Sequence, residues 1–350
     1  MKIAIPKEIK TLEGRVALIP AACASLIDAG HDVYIQKDAG ILSGYSDEMY
    51  QKNGVKLLDD AESVYAEGEL IVKVKEPVGP ELNLLQSHHL LFSYLHLAAE
   101  VELMKKLTEI GLTGVAFETV EENKLLPLLA PMSDIAGRLS IQIGTHLLHR
   151  PQGGKGLLLG GLPGADRGHV VILGGGVAGK NAAILAAAAG ARVTVFDRNR
   201  LKQETLRALG ANVSALYPFP ELLNDAVSDA DLIVGAVLIT GERAPHIVSR
   251  EMLKNMQNGG VIVDISVDQG GCIETTRPTT YENPTFIEEG ITHFCVTNMP
   301  GAVPRSASQA LSASLLPYVL QLADKNWRKN EALVKGINVE QGEVVHPALK

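Results

Sequence analysis

The chain has 350 residues, and at about 150 residues per domain this length predicts two domains. Hydrophobic residues make up 46% of the chain, aromatic residues 4%, and the formal net charge is −8. The apolar content excludes an intrinsically disordered chain, and the acidic balance with so few aromatic side chains argues against nucleic-acid binding.

The first segment alternates short apolar strands with helices, the pattern that is typical of a mostly parallel α/β sheet. The predicted strands cover residues 3–5, 33–35, 70–74, 89–94 and 113–117, and the predicted helices cover 20–29 and 99–110. A loop rich in proline and leucine, residues 125–131, ends the segment.

A second segment opens with a helix predicted over residues 133–148, with Ser133 or Asp134 as its N-cap. Six apolar runs at the spacing of βα units follow, at 170–173, 192–196, 212–216, 232–237, 261–265 and 293–296. This pattern predicts a doubly wound sheet. A long helix is predicted over 306–327, and the polar tail, 329–350, is expected to be loosely held.

The three cysteines, Cys23, Cys272 and Cys295, are far apart, which predicts neither a disulfide framework nor a zinc site. The start of the chain has no apolar leader, and the least charged stretch, residues 306–323, is too polar to be a good membrane span. We therefore expect a soluble cytoplasmic protein with no metal and no nucleic-acid or membrane partner.

The dinucleotide fingerprint G-x-G-x-x-G occurs at residues 174–179, between a predicted strand and a predicted helix. Gly174 permits the turn, Gly176 lets the backbone approach a pyrophosphate, and Gly179 lets the helix pack close to the strand. Asp197 ends the next strand, where it would bind ribose hydroxyls and favour NAD. Two arginines directly after this acid leave some use of NADP open; they are Arg198 and Arg200.

Several polar side chains follow predicted strands, where parallel sheets bind their ligands. Lys75 and His96 do so in the first segment, and with Arg15 they could hold a small carboxylate, polarise a carbonyl and move a proton. In the second segment, Asp268 could face the nicotinamide and Asn298 could bond its carboxamide.

Motifs along nearly the whole chain resemble those of the alanine dehydrogenase and transhydrogenase family. They are PKE at 6–8, RVALIP at 15–20, KVKEP at 73–77, FSYLHL at 92–97, PMSDIAGR at 131–138, DQGGC at 268–272 and CVTNMPGAVP at 295–304. The resemblance implies an NAD-dependent enzyme that interconverts L-alanine with pyruvate and ammonia.

The resemblance also implies roles for individual residues. By motif, Arg15 and Lys75 bind the substrate, and His96 and Asp268 are the catalytic acid–base pair. The cofactor would be bound by the following residues of the second segment: Ser133, Gly174, Gly176, Val177, Ala178, Gly179, Asp197, Lys202 and Asn298.

The family's substrate domain is discontinuous. The resemblance therefore predicts a substrate domain formed by residues 1–128 and 305–350, with a Rossmann-type NAD domain, 129–304, inserted in it. Members of the family are commonly hexameric, so a homo-oligomer is expected. Three alternatives stay open: an opine- or saccharopine-type dehydrogenase, the NAD-binding subunit of a transhydrogenase, and a non-catalytic NAD-binding protein.

Overall fold

The computed structural model describes residues 1–237 and 244–350. The chain divides into two compact units, each built on its own β-sheet. Residues 1–132 and 301–350 form the first unit, and residues 133–300 form the second. The predicted fold class is confirmed: a doubly wound α/β unit is inserted in a discontinuous α/β unit.

The first unit begins with six parallel strands in the order β3-β2-β1-β4-β5-β6. The strands are β1 (Lys2–Ile5), β2 (Asp32–Gln36), β3 (Lys56–Leu58), β4 (Leu70–Val72), β5 (Leu90–Ser93) and β6 (Thr113–Ala116). The helices are α1 (Pro20–Asp28), α2 (Asp47–Lys52), α3 (Ala61–Glu67), α4 (Glu81–Leu84) and α5 (Val101–Ile110). Strand β3 is missing from the sequence prediction because its three residues lie at the sheet edge and show no apolar run.

Helix α5 shows how this sheet is covered. Its apolar side chains Leu103 and Leu107 are one turn apart and are both buried. They belong to one core cluster with Ile71 of β4 and Leu91 of β5. These two strands are buried along their whole length, which explains why they read as continuous apolar runs in the sequence.

Helix α6 (Ala130–Leu147) begins earlier than predicted. Ser133 and Asp134 therefore lie inside the helix, and the prediction that one of them is the N-cap is wrong. The helix starts at Ala130 because Pro131 fits the first turn, where its missing N–H is no loss.

The second unit carries a seven-stranded sheet in the order β9-β8-β7-β10-β11-β13-β12. Its strands are β7 (His169–Leu173), β8 (Arg192–Phe196), β9 (Val213–Leu216), β10 (Leu232–Gly235), β11 (Val261–Asp264), β12 (Thr285–Glu288) and β13 (Ile291–Phe294). Its helices after α6 are α7 (Val177–Ala188), α8 (Arg200–Arg207), α9 (Pro220–Ser228) and α10 (Arg250–Leu253). All pairs are parallel except β12–β13. The strand order reverses between β7 and β10, the switch point at which such sheets bind nucleotides.

The C-terminal segment returns to the first unit through α11 (Pro304–Leu322), α12 (Glu331–Lys335), β14 (Ile337–Glu340) and β15 (Glu343–Val344). The prediction of a loosely held tail is wrong. Leu333 and Val339 are buried, and β14 pairs antiparallel with β6. The apolar runs here are short, at most three residues long, and lie among polar ones, so the sequence alone does not show that they are buried.

Candidate active site

Arg15 lies in the loop that follows β1. Its Nε donates to Oε1 of Glu13 at 2.6 Å, its Nη2 donates to the other oxygen, and its Nη1 lies 3.1 Å from Sδ of Met132. Burial lowers the pKa of Arg15, but pairing with Glu13 outweighs it and the net shift is upward. The two-point pairing fixes the plane of a guanidinium that is permanently cationic.

Two buried hydroxyl groups hold the backbone on both sides of Arg15. Ser43 Oγ donates to the carbonyl of Gly14 at 2.7 Å, and Ser308 Oγ accepts from the N–H of Val16 at 2.9 Å. The two hydroxyls are themselves 2.8 Å apart. Helix α11, which carries Ser308, thus holds the loop of Arg15 through a hydrogen bond between residues that are 292 positions apart in the chain.

Lys75 follows β4 at its carboxyl end. Burial lowers its pKa, Glu76 opposes the shift at an Nζ–Oε2 distance of 3.7 Å, and the positive charges of Arg15 and Lys10 lower it further. Lys10 also forms an ion pair with Glu76. Lys75 and Arg15 are therefore close enough to influence each other electrostatically, and two neighbouring cations of this kind can attract a small anion.

His96 follows β5, the neighbour of β4 in the sheet. It adopts a left-handed backbone conformation, φ 50°, which is uncommon for a residue other than glycine. Glu118 supports this conformation, since its Oε1 accepts the N–H of His96 at 2.6 Å and the N–H of Leu95 at 3.2 Å. The imidazole stacks on Tyr94 with an interplanar angle of 7°.

Glu118 was not predicted from the sequence, although a signal for it existed. It follows β6 at the carboxyl end, and β6 is the parallel neighbour of β5. This is the criterion that selected Lys75 and His96. Of the predicted residues, Lys75 and His96 thus follow the adjacent strands β4 and β5, and Arg15, in the loop after β1, acts electrostatically on Lys75.

In the second unit, the glycine fingerprint forms the turn between β7 and α7. Gly174 has φ 95°, and a Cβ there would lie 2.6 Å from the carbonyl oxygen of Ala236. A Cβ on Gly179 would lie 1.8 Å from the carbonyl oxygen of Gly174. Both positions accept only glycine, and the second sets how closely α7 packs against the turn.

Gly176 differs from these two glycines, because a Cβ there would meet nothing within 4 Å. It is the N-cap of α7, and within the described parts of the chain no side chain caps this helix. Val177 and Ala178 form the first turn, so their backbone N–H groups point out of the helix. Open space beside an uncapped helix N-terminus fits the pyrophosphate of a dinucleotide.

Asp197 follows β8 and is hydrogen-bonded to the fingerprint. Its Oδ2 accepts the N–H of Gly175 at 2.7 Å, and its Oδ1 accepts the N–H of Asn199 at 2.7 Å. Lys202 Nζ lies 3.6 Å from Oδ2, while Arg200 is exposed and paired with Glu204. The carboxylate is thus held beside the glycine turn, where an adenosine ribose binds in this type of fold.

Helix α6, which carries Ser133, packs against the start of α7. Gly137, one turn further along α6, packs so closely that a Cβ would lie 2.1 Å from the carbonyl oxygen of Ala178. Asn181 of α7 donates to Asp134 at 2.6 Å and links the two helices. Ser133 is four residues before Gly137 and so lies on the face of α6 that packs against α7.

Asp268 and Asn298 follow β11 and β13, which are parallel neighbours. The buried Asp264 at the end of β11 holds the loop of Asp268 on both sides, accepting the N–H of Ser266 at 3.0 Å and that of Cys272 at 3.1 Å. Asp264 is therefore structural, whereas Asp268 and Asn298 lie at the carboxyl edge of the sheet.

Three other features bear on the predictions from the sequence. Among the described residues, no group of three or more His, Cys, Asp or Glu side chains is arranged to hold a metal ion. No helix in the described ranges is long and apolar enough to cross a membrane. The three cysteines are buried and free.

Comparison with known proteins gives the family. The alanine dehydrogenase/PNT N-terminal domain matches residues 4–136, and the C-terminal domain of the same family matches residues 140–347. The alanine dehydrogenase of Halomonas elongata is 46% identical over 356 residues, which covers 100% of this chain and 96% of that protein.

Comparison with solved structures points to the same family. An L-alanine dehydrogenase superposes with a TM-score of 0.96 at 48% identity and covers 100% of this chain and 98% of its own. A transhydrogenase from Sinorhizobium meliloti superposes with a TM-score of 0.85 at 25% identity, covering 99% and 100%. The family resemblance found in the sequence motifs is thereby confirmed, and the chain belongs to the alanine dehydrogenase/PNT family.

Proposed function

We propose that the protein catalyses the reversible oxidative deamination of L-alanine: alanine, NAD⁺ and water give pyruvate, ammonium, NADH and a proton. Full-length similarity to an alanine dehydrogenase supports this activity, since 46% identity extends over 100% of the chain. The observation that carries the proposal is that two cations that act on each other, Arg15 in the loop after β1 and Lys75 after β4, occur in one unit with His96, which follows β5.

The substrate residues act through charge. Arg15, fixed by Glu13, binds the substrate carboxylate, because a guanidinium held in one plane matches a carboxylate. Lys75 donates a hydrogen bond to the developing carbonyl oxygen. Its lowered pKa makes proton release easier than for an ordinary lysine.

When bound, NAD⁺ supplies the acceptor for the hydride that leaves Cα of alanine. The residues of this chain then move protons. Water adds to the resulting imine, His96 and Asp268 remove and return protons during this addition, and the same pair protonates the nitrogen as ammonia leaves. Glu118 keeps His96 in place for both transfers.

We further propose NAD rather than NADP as the preferred cofactor. The Asp197 carboxylate accepts hydrogen bonds from ribose hydroxyls and repels a 2′-phosphate. Its fixed position beside Gly175 supports this preference. Ser133, Lys202 and Asn298 complete the proposed cofactor contacts.

Family membership supports the further proposals of a homohexamer and a cytoplasmic location, and light scattering of the purified protein tests the proposed hexamer.

The decisive experiment follows NADH or NADPH oxidation with ammonia and a panel of 2-oxo acids. Activity with pyruvate is expected. A bulkier oxo acid as the preferred substrate would replace alanine by a larger amino acid, as in opine- or saccharopine-type enzymes. NADH binding without turnover of any oxo acid would indicate a non-catalytic protein.

Two variants test the acid–base assignment. His96→Ala and Asp268→Ala should each lower kcat by roughly 10²- to 10⁴-fold, the usual contribution of a general acid or base. His88→Ala is the matched control, since His88 is an exposed histidine of the same unit. Near-normal turnover in either test variant would remove that residue from the mechanism.

A further inference from the structure

A lysine that the proposed mechanism does not use is buried directly beside Lys75. Lys73 is 1% exposed, which is rare for a lysine. Its Nζ lies 3.1 Å from Oε2 of Glu8 and 3.3 Å from Oε1 of Glu81. Burial lowers the pKa of Lys73, but the two carboxylates outweigh it and raise the pKa overall.

The same ion pair holds both peptide groups of Lys75. Lys73 Nζ donates to the carbonyl oxygen of Lys75 at 2.9 Å and lies 3.4 Å from that of Glu76. Glu8 accepts the N–H of Val74 at 2.5 Å and the N–H of Lys75 at 3.4 Å. The cation therefore binds the carbonyl groups of this turn, and the anion binds its N–H groups.

Stability alone does not account for such a pair. Apolar residues of similar volume are often as stabilising as a buried ion pair, because the two charges lose their hydration. The pair can do what apolar residues cannot, which is to fix the direction of four backbone groups. Those groups flank Lys75, the residue that donates to the carbonyl oxygen of the substrate in the proposed mechanism.

We propose that Glu8 and Lys73 are positioning residues that fix the backbone of residues 74–76 and thereby set where the Lys75 ammonium meets the substrate. This inference rests on the proposed function. Neither residue touches the substrate in this proposal; both act through Lys75.

Two substitutions of Glu8 separate position from charge. Glu8→Asp keeps the charge but shortens the side chain by one methylene, so it cannot reach the N–H groups of both Val74 and Lys75. Glu8→Gln keeps the length but removes the charge and one acceptor. Tyr65→Phe is the matched control, because Tyr65 donates to Glu81 at 3.0 Å, at the end of the cluster away from the turn.

The readouts are kcat, the KM for pyruvate and the KM for NADH, each per mole of folded protein, with a thermal melt for stability. Both Glu8 variants should lower kcat/KM for pyruvate by roughly tenfold or more, since a misplacement of about 1 Å can cost up to 10²-fold. The KM for NADH should stay within about twofold. Tyr65→Phe should lower the melting temperature with unchanged kinetics.

Lys75→Met, measured alongside, separates this inference from the proposed function. If Lys75→Met is impaired but both Glu8 variants have wild-type kinetics, the inference is overturned and the proposed function stands. If Glu8→Asp retains full activity while Glu8→Gln loses it, the charge of residue 8 matters rather than its reach, and the inference is again overturned. If Lys75→Met is unimpaired, the assigned role of Lys75 fails and the inference fails with it.

A further variant keeps the test valid if the Glu8 variants do not fold. Lys73→Arg retains the buried positive charge, but its planar head cannot reproduce the donor directions of an ammonium. The same selective loss of kcat/KM for pyruvate is expected. Wild-type kinetics in a folded Lys73→Arg protein would overturn the inference.

Discussion

The two glycines at the start of α7 should respond differently to the same added methyl group. In Gly176→Ala the Cβ meets nothing within 4 Å, and the backbone at φ −71° and ψ −165° suits any residue. In Gly179→Ala the Cβ would lie 1.8 Å from the carbonyl oxygen of Gly174. The first change should impair the cofactor site, and the second should impair the fold.

The magnitudes follow from these distances. At Gly176, the loss of a good N-cap residue and the gain from a stiffer unfolded chain are each about 0.5–1 kcal/mol and largely cancel. At Gly179, an ordinary C···O distance of about 3.3 Å requires α7 to shift by roughly 1.5 Å. Such overpacking lowers the free energy of unfolding by about 1–3 kcal/mol. Each kcal/mol lowers Tm by about 2–4 °C in a domain of this size.

For binding, the methyl of Gly176→Ala would occupy the space beside the helix N-terminus. Losing one hydrogen bond to a charged phosphate costs about 1.5–3 kcal/mol, which corresponds to roughly 10- to 100-fold weaker NADH binding. Fluorescence titration with NADH and thermal melts without ligand measure the two effects. NADH affinity within twofold of wild type in Gly176→Ala, or an unchanged Tm in Gly179→Ala, would refute this reasoning.

Three further predictions concern other groups. Glu118→Ala should lower kcat by roughly 10- to 100-fold with unchanged NADH affinity, because the strained backbone of His96 loses its support; stopped-flow and binding assays check this, and an unchanged kcat would contradict it. Asp197→Ser should raise the NADPH-to-NADH ratio of kcat/KM by about tenfold or more, since it removes a charge that repels the 2′-phosphate; an unaltered ratio would count against the assigned role. Burial lowers the pKa of His89 to about 4, below its unfolded value near 6.5. The folded state therefore binds fewer protons, and the free energy of unfolding should fall as the pH drops from 6.5 towards 4. Urea denaturation of His89→Gln, which does not titrate, should show a smaller fall, and a pH dependence identical to that of the wild type would disprove the contribution of His89.

The sequence was sufficient to predict those parts of the fold and the candidate site whose signal is local. The turn at 174–179, its strand and its helix lie within 20 residues or so, and the glycines are needed for reasons that depend on the backbone alone. Strand ends located Lys75, His96, Asp268 and Asn298 in the same way, because parallel sheets gather their carboxyl ends on one side.

The sequence was insufficient where a partner is distant along the chain. Glu8 and Lys73 are 65 residues apart, and each alone looks like a solvated surface charge. The N–H of Val16 bonds to Ser308, 292 residues later. Edge strand β12 also went unrecognised, because its four residues alternate between exposed and half-buried positions and form no longer apolar run. These contacts depend on tertiary structure, which periodicity and composition do not encode.

The antiparallel pairing of β14 with β6 has a consequence for biosynthesis. Residues 133–300 are contiguous, so this unit can fold as soon as it leaves the ribosome. The first unit cannot complete its sheet until Val339 has been synthesised and has found Gly114, across more than two hundred intervening residues. Closing so long a loop has an entropic cost that must be met before any stabilising contact between the two strands can form. The segment made first is therefore expected to be completed last, with the edge of β6 exposed to chaperones or to other nascent chains in the interval.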